Sequence, residues 1–366
     1  MREAELDALV VTTAPNLRYF AGFATQFLES PTRPWFLILP REGAPIAVVP
    51  EIGAPGFALT WVQDVRTWPA PCPEDDGISL LAASLGELPR RFGRVGWELG
   101  RESQLRMPIS DFDRLREQAG NLQFVDGAPD IWALRMVKSP AEIEKTAYVC
   151  GLASDAFSAL AEKLAPGDLD YDIARRFRQD LIARGADFVP FMAVCSGPGG
   201  PDQIIVGPSG KQPAKGDILF IDTGAQFDGY FCDFDRLYAF GDPNDAAKRA
   251  HDDLWQATEA GFAAARPGAT SADLWRAMGR ILEDAGYPPS NVGRMGHGLG
   301  LQLTEPPSNM AGDETPLQAG MIMTLEPGVE YETGKTLVHE ENLVITDEGP
   351  CWLTKRGPRE LPIIPV

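Results

Sequence analysis

The sequence predicts an α/β N-terminal domain over residues 1–137 followed by an α+β C-terminal domain over residues 138–366. Three observations carry that expectation. Apolar runs alternate with helical stretches in the first third. A strong helix-start signal stands at Ser139. Carboxylate and imidazole side chains framed by glycine or apolar residues gather only in the second part. A chain of 366 residues also exceeds one ordinary hydrophobic core.

In the first domain the runs DALVVT (7–12), WFLILP (35–40), PIAVVP (45–50) and RVGWEL (94–99) are bounded by turn residues and read as strands. The stretch around SLLAASLGELPRRF reads as a helix. Asn16 and Arg18 in APNLRYFAGF are expected to lie in a solvated polar turn.

The second domain opens with Ser139 as N-cap, Pro140 at the first helical position and Glu142 closing a capping box. Ile143, Ala147, Cys150, Phe157 and Leu160 then share one helical face. A second helix follows PGDLDYD, with Ile173, Ala174, Phe177, Leu181 and Ile182 as its apolar face. Residues 247–265 and 271–285 form two further helices.

Five side chains then stand out: Asp222 in FIDTGAQ, Asp233 in YFCDFDR, His297 in RMGHGLGL, Glu326 in TLEPGVE and Glu340 in VHEEN. Asp222 is expected at the end of the buried strand DILFI, with Thr223-Gly224 turning the backbone away. Asp233 follows a hairpin through AQFDG, Glu326 ends the strand MIMTL, and Glu340 precedes the strand NLVIT. A buried Asp without a partner costs several kcal/mol, so such residues demand cations or hydrogen bonds. Four carboxylates and one imidazole form a hard donor set suited to two divalent ions (Mn, Zn, Fe or Co). Two such ions roughly 3.5–4 Å apart would activate a water and polarise a substrate oxygen.

These motifs lie in steps of 11, 64, 29 and 14 residues. In that order and spacing the chain resembles the pita-bread metallohydrolases, which include prolidase, aminopeptidase P, methionine aminopeptidase and creatinase. The likeness runs from DALVVT to the terminal LTKRGPREL and is nearest to the prolidase and aminopeptidase P branch. It implies a creatinase-like N-terminal domain, a pita-bread C-terminal domain with a curved antiparallel sheet, and a homodimer. It also implies that Asp222 chelates one ion, that Asp233 and Glu340 bridge both, and that Glu326 is both ligand and proton shuttle. The reaction implied is hydrolysis of Xaa-Pro dipeptides or similar short peptides.

The chain departs from that pattern in three places. Peptidases of the family carry a histidine seven residues beyond the metal histidine, where this chain has Thr304, and another upstream, which falls on Ile205. Thr304 can donate one hydrogen bond to an oxyanion and Ile205 none. Asp235 stands where the family has Thr, and reads equally as a catalytic carboxylate or as an outward group paired with Arg236. His339 and Glu341 flank Glu340 and face away from it by strand alternation, with Glu341 a supporting or surface group. Loss of both histidines favours a small polar substrate, with Ile205, Phe188 and Phe191 as an apolar wall, and weak activity on ordinary Xaa-Pro substrates. The alternative on the same scaffold is a creatinase-type or ectoine-type hydrolase, or a dimethylsulfoniopropionate lyase using Asp235 or Glu305 as base. A non-catalytic binding protein fits less well, because an ion-free carboxylate cluster repels itself.

A net charge of −19 argues against nucleic acid or an anionic membrane as partner. The five scattered cysteines read as reduced cytoplasmic thiols, with Cys232 a core residue. The charged opening MREAELD does not read as a signal peptide, and no apolar stretch is long enough to be expected as a membrane span.

Overall fold

The apolar runs of the first third become one six-stranded sheet in the computed structural model, which describes residues 1–165, 167–287 and 293–366. By its contacts the chain divides into two units, Met1–Leu134 and Arg135–Val366. In chain order the first elements are β1 (Ala8–Val11), α1 (Ala14–Ala21), β2 (Phe36–Pro40), β3 (Ile46–Pro50) and α2 (Ala54–Phe57). Then come β4 (Asp64–Trp68), α3 (Ile78–Gly86), β5 (Arg94–Trp97), α4 (Ile109–Gln118), β6 (Gln123–Asp126) and α5 (Ala128–Met136). The sheet order is β4-β3-β2-β1-β5-β6, with β1–β2 and β2–β3 antiparallel and the other pairs parallel. Its central strands are buried on both faces, which is why they read as continuous apolar runs. Leu9, Val11, Leu37 and Val49 feed one core, and Ala8, Val10, Phe36 and Val48 feed the other.

The segment expected as a solvated turn is α1, and Asn16 is buried in it. Its side-chain amide donates to Glu98, which also accepts from the Thr12 N–H and from the Thr12 and Thr13 hydroxyls. The partner lies 82 residues away, beyond any local pattern.

The first long helix of the second unit is α6 (Pro140–Ala161), capped as the sequence predicts. The Glu142 carboxylate accepts the Ser139 N–H at 2.8 Å and its hydroxyl at 2.7 Å. α7 (Asp170–Arg184) buries Ile173, Ala174, Phe177 and Leu181. Ile182, expected on that face, is 46% exposed. At 100° per residue it lies half a turn from Ile173.

Next come β7 (Phe188–Pro198), β8 (Asp217–Phe227), β9 (Tyr230–Phe231) and β10 (Phe234–Phe240), and then α8 (Asp245–Ala264) and α9 (Ser271–Asp284). The last strands are β11 (His297–Gly298), β12 (Glu305–Ser308), β13 (Ile322–Leu325), β14 (Gly328–Glu332), β15 (Lys335–Val338), β16 (Glu341–Thr346), β17 (Gly349–Trp352) and β18 (Ile363–Ile364).

They form two five-stranded sheets rather than one, with β14 and β15 paired separately as a two-stranded ribbon. The first runs β18-β10-β8-β7 with β9 on β8, and the second runs β12-β11-β13-β16-β17. All pairs are antiparallel except β10 with β18. A helix pair covers each sheet. Phe157 and Phe177 from α6 and α7 share a core with Ile221 and Phe234. Leu254 and Met278 from α8 and α9 share another with Met323 and Leu343. The architecture is therefore an α/β unit followed by a helix-and-sheet unit of pita-bread type.

Candidate metal centre

β8 carries Asp222 in its middle, not at its end. The strand runs on to Phe227, and the chain turns at Asp228-Gly229, whose φ values of 46° and 79° fit a two-residue hairpin turn. Gly224 serves packing instead of turning, since a Cβ there would come 2.2 Å from Leu303. Asp222 faces Ala193 of β7 on one side and Asp235 of β10 on the other.

Asp233 sits at the bend between β9 and β10. The Asn342 side chain holds that bend, accepting the Asp233 N–H at 2.9 Å and donating back to the Asp233 carbonyl oxygen. Cys150 donates its S–H to the same Asn342 oxygen at 3.3 Å. Cys232 is fully buried in the core, as expected.

His297 opens β11 between two glycines, and the structure gives a reason for both. A Cβ at Gly296, where φ is 114°, would lie 2.2 Å from the Thr324 carbonyl oxygen, and one at Gly298 would lie 2.2 Å from that of Pro306. The backbone of β11 is thereby threaded closely between β12 and β13. The imidazole Nδ1 bonds the Gly298 carbonyl at 2.9 Å, which leaves Nε2 3.5 Å from an Asp233 carboxylate oxygen. Burial pushes its pKa down to about 4, so at neutral pH this is a neutral ring with a free lone pair aimed at Asp233.

Glu326 follows β13 directly, its N–H bonded to the Met295 carbonyl at 3.1 Å. Glu340 and Glu341 lie side by side and do different work. Glu341, read as a supporting or surface group, is fully buried. Its carboxylate accepts from Arg236 and Arg356 at 3.1 Å each, from the Gly357 N–H at 2.6 Å, and from the Thr354 hydroxyl. His339 is buried on the far side, with Nδ1 bonded to Thr258 at 3.2 Å.

Asp233, His297 and Glu340 come together, offering ligand atoms within 4.8 Å of one another, all buried. Asp222 and Glu326 stand outside that tight triad but near enough to repel it. Burial, and then the charges of Asp222 and Glu326, hold the Asp233 carboxyl well above the ordinary range. Glu340 is raised in the same way by burial and then by Asp233. Burial lifts Asp222 to about 7, and burial with the Asp222 charge lifts Glu326 to about 8.

Oxygens of Asp222, Asp235 and Glu340 are buried with no hydrogen-bond partner. Desolvated carboxylates so placed cost several kcal/mol each unless a cation accompanies them. The donor set fits hard divalent ions.

Other expectations meet corrections. Asp235 is not an outward partner of Arg236. It is 2% exposed, and Arg236 spends one nitrogen on the carbonyl oxygens of Asp235 and Glu340 and the other on Glu341 and Lys355. Glu305 is unavailable as a base, because its buried carboxylate is paired with Arg135 and, at 3.1 Å, with Lys138. Those two cations, with the Gln302 N–H, offset burial and hold it below its ordinary value. Thr304 is half-buried on the bend before β12. Ile205 and Phe188 are 79% and 48% exposed, so they form no closed apolar wall, whereas Phe191 packs on the core. Asn342 and Arg236 were missed as organising residues. An amide inside the apolar run ENLVIT was the available signal.

Residues 144–348 match metallopeptidase family M24, and residues 1–137 match the creatinase/prolidase N-terminal domain. The chain belongs to metallopeptidase family M24. It is therefore an enzyme of the hydrolase class, and its relatives sharpen the comparison. A probable dipeptidase PepE of Mycobacterium tuberculosis is 30% identical over 370 residues, covering 100% of this chain and 94% of that protein. A Xaa-Pro dipeptidase of Pyrococcus horikoshii is 29% identical, covering 97% and 94%. Among solved structures, dipeptidase PepE from Mycobacterium ulcerans superposes with a TM-score of 0.87 at 31% identity, covering 100% of this chain and 95% of that one. A prolidase from Thermococcus sibiricus gives 0.88 at 24% identity, covering 99% and 96%, and shares the fold. Among the described residues no helix is long and apolar enough to cross a membrane.

Proposed function

We propose that this enzyme hydrolyses short peptides, dipeptides first among them, at a centre where Asp222, Asp233, His297, Glu326 and Glu340 hold two divalent ions. The observation that carries the reading is the buried triad of Asp233, His297 and Glu340 within 4.8 Å, surrounded by carboxylate oxygens that lack partners. When bound, such ions polarise a carbonyl and make a water nucleophilic at neutral pH.

The chain's own residues do the rest. His297 keeps its Nε2 toward Asp233 because Nδ1 is fixed on Gly298. Glu326, a buried carboxyl whose charge bears on Asp233 and Glu340, would receive the water's proton and pass it to the leaving amine. Thr304 can supply one hydrogen bond to the developing oxyanion.

The test is hydrolysis by protein loaded with Mn²⁺, Zn²⁺ or Co²⁺ on a panel of proline and non-proline dipeptides. Metal-dependent cleavage that vanishes in Glu326→Gln is the expected result. Turnover of small zwitterions with no cleavage of any dipeptide would replace this reading with the non-peptidase one, which the threonine at 304 favours.

A further inference from the structure

Asp235 lies in register with Asp222 across the antiparallel pair β8–β10. Directly opposed residues place their Cβ atoms about 4.5–5.5 Å apart on one face of the sheet. Asp233 stands two residues earlier, at the bend that opens β10, and the Asp235 charge bears on its carboxyl. Asp235 thus enters the same buried space as Asp222 and Asp233.

Burial outweighs what the protein offers its charge, which is the nearby Arg236 guanidinium and the Glu340 N–H. The Asp235 Oδ1 is buried with no hydrogen-bond partner, as are Asp222 Oδ1 and Glu340 Oε1. The adjacent cation does not pair with it, because Arg236 bonds only the main-chain oxygen of Asp235 and turns its other nitrogen to Glu341 and Lys355. A group that merely braced Asp222 would spend both carboxylate oxygens on it or on donors, whereas Asp235 leaves Oδ1 without a partner.

We propose that Asp235 is itself a metal-binding residue of this centre, adding a fifth carboxylate to the set on the Asp222 side. The inference rests on the proposed two-ion reading. It makes the donor set harder and more negative than the five motifs alone imply, with five carboxylates and one imidazole around two divalent ions. Such a set favours oxygen-seeking Mn²⁺ relative to Zn²⁺.

The test is calorimetric titration of the ion-free protein with Mn²⁺ and with Zn²⁺, comparing wild type, Asp235→Asn and Asp235→Thr. Both variants are expected to lose Mn²⁺ affinity at one of two sites by about 10- to 100-fold, with a smaller loss for Zn²⁺. Thermal unfolding of ion-free Asp235→Asn should show no loss of stability, since it removes a buried charge and keeps an oxygen for the Glu340 N–H, and this guards against misfolding as the cause. Two ions bound by Asp235→Asn with affinities within twofold of wild type would overturn this inference and leave the proposed function standing. Wild-type protein that binds neither ion would overturn both.

Discussion

Asn342 grips both main-chain polar groups of Asp233, accepting its N–H at 2.9 Å and donating to its carbonyl oxygen. One strand of the second sheet thereby sets the position of a carboxylate carried by the first. The contact is wholly buried, so nothing in solvent can substitute for it.

Replacing Asn342 with Leu leaves a buried N–H and a buried carbonyl unpaired. The cost should be about 2–5 kcal/mol of stability, read from the urea midpoint of the ion-free protein. Divalent-ion affinity should fall as well, because Asp233 is no longer held against His297 Nε2. A loss under about 0.5 kcal/mol, the scale of an ordinary surface change, would mean that the bend holds its shape unaided.

The carboxylate cluster should make the ion-free protein less stable as pH rises. Asp222 and Glu326 have folded pKa values of about 7 and 8, above the ordinary 3.8 and 4.5. Between those limits the folded state binds more protons than the unfolded one. The stability these groups contribute is therefore full below about pH 4 and is lost as pH rises through 7 to 8. The melting temperature of ion-free protein should drop between pH 6 and pH 8, and saturating Mn²⁺ should remove the drop. A flat or rising profile without metal would contradict the burial of these groups.

Glu305 should prove structural. Its carboxylate neutralises Arg135 and Lys138, whose side chains are 1% and 2% exposed. Glu305→Ala strands two buried cations and should cost about 3–5 kcal/mol, whereas Glu305→Gln keeps part of the hydrogen bonding and should cost less. Unfolding free energies of the two variants provide the check, and equal stability to wild type would show that solvent reaches the pair.

Thr304→His restores an imidazole where family peptidases have one. If oxyanion stabilisation limits this enzyme, kcat on Xaa-Pro dipeptides should rise by about 10²–10³ with little change in KM. Steady-state kinetics on the metal-loaded variant decides it. Wild-type kcat/KM already at or above about 10⁴ M⁻¹s⁻¹ would show that other donors serve in place of the two histidines.

Much of this was legible in the chain alone, because the relevant signals are local. Continuous burial along DALVVT and WFLILP reports a sheet covered on both faces, and the Ser139–Glu142 box marks a helix start within four residues. The hairpin at Asp228-Gly229 and the glycines around His297 are likewise written in short motifs, since left-handed backbone and close approach both demand glycine.

Tertiary structure decided whatever depends on partners distant in sequence. Whether Asp235 points out or in turned on β10 lying between β8 and β18, and on Arg236 finding carbonyl oxygens more than 100 residues away. The same holds for Glu341, whose four donors include Arg236 from β10, and for Glu305, whose cations precede it by 167 and 170 residues. Asn16 found Glu98 across 82 residues. Sequence periodicity states which face of an element is apolar. Which charges become buried, and beside what, is set only when the sheets close over them.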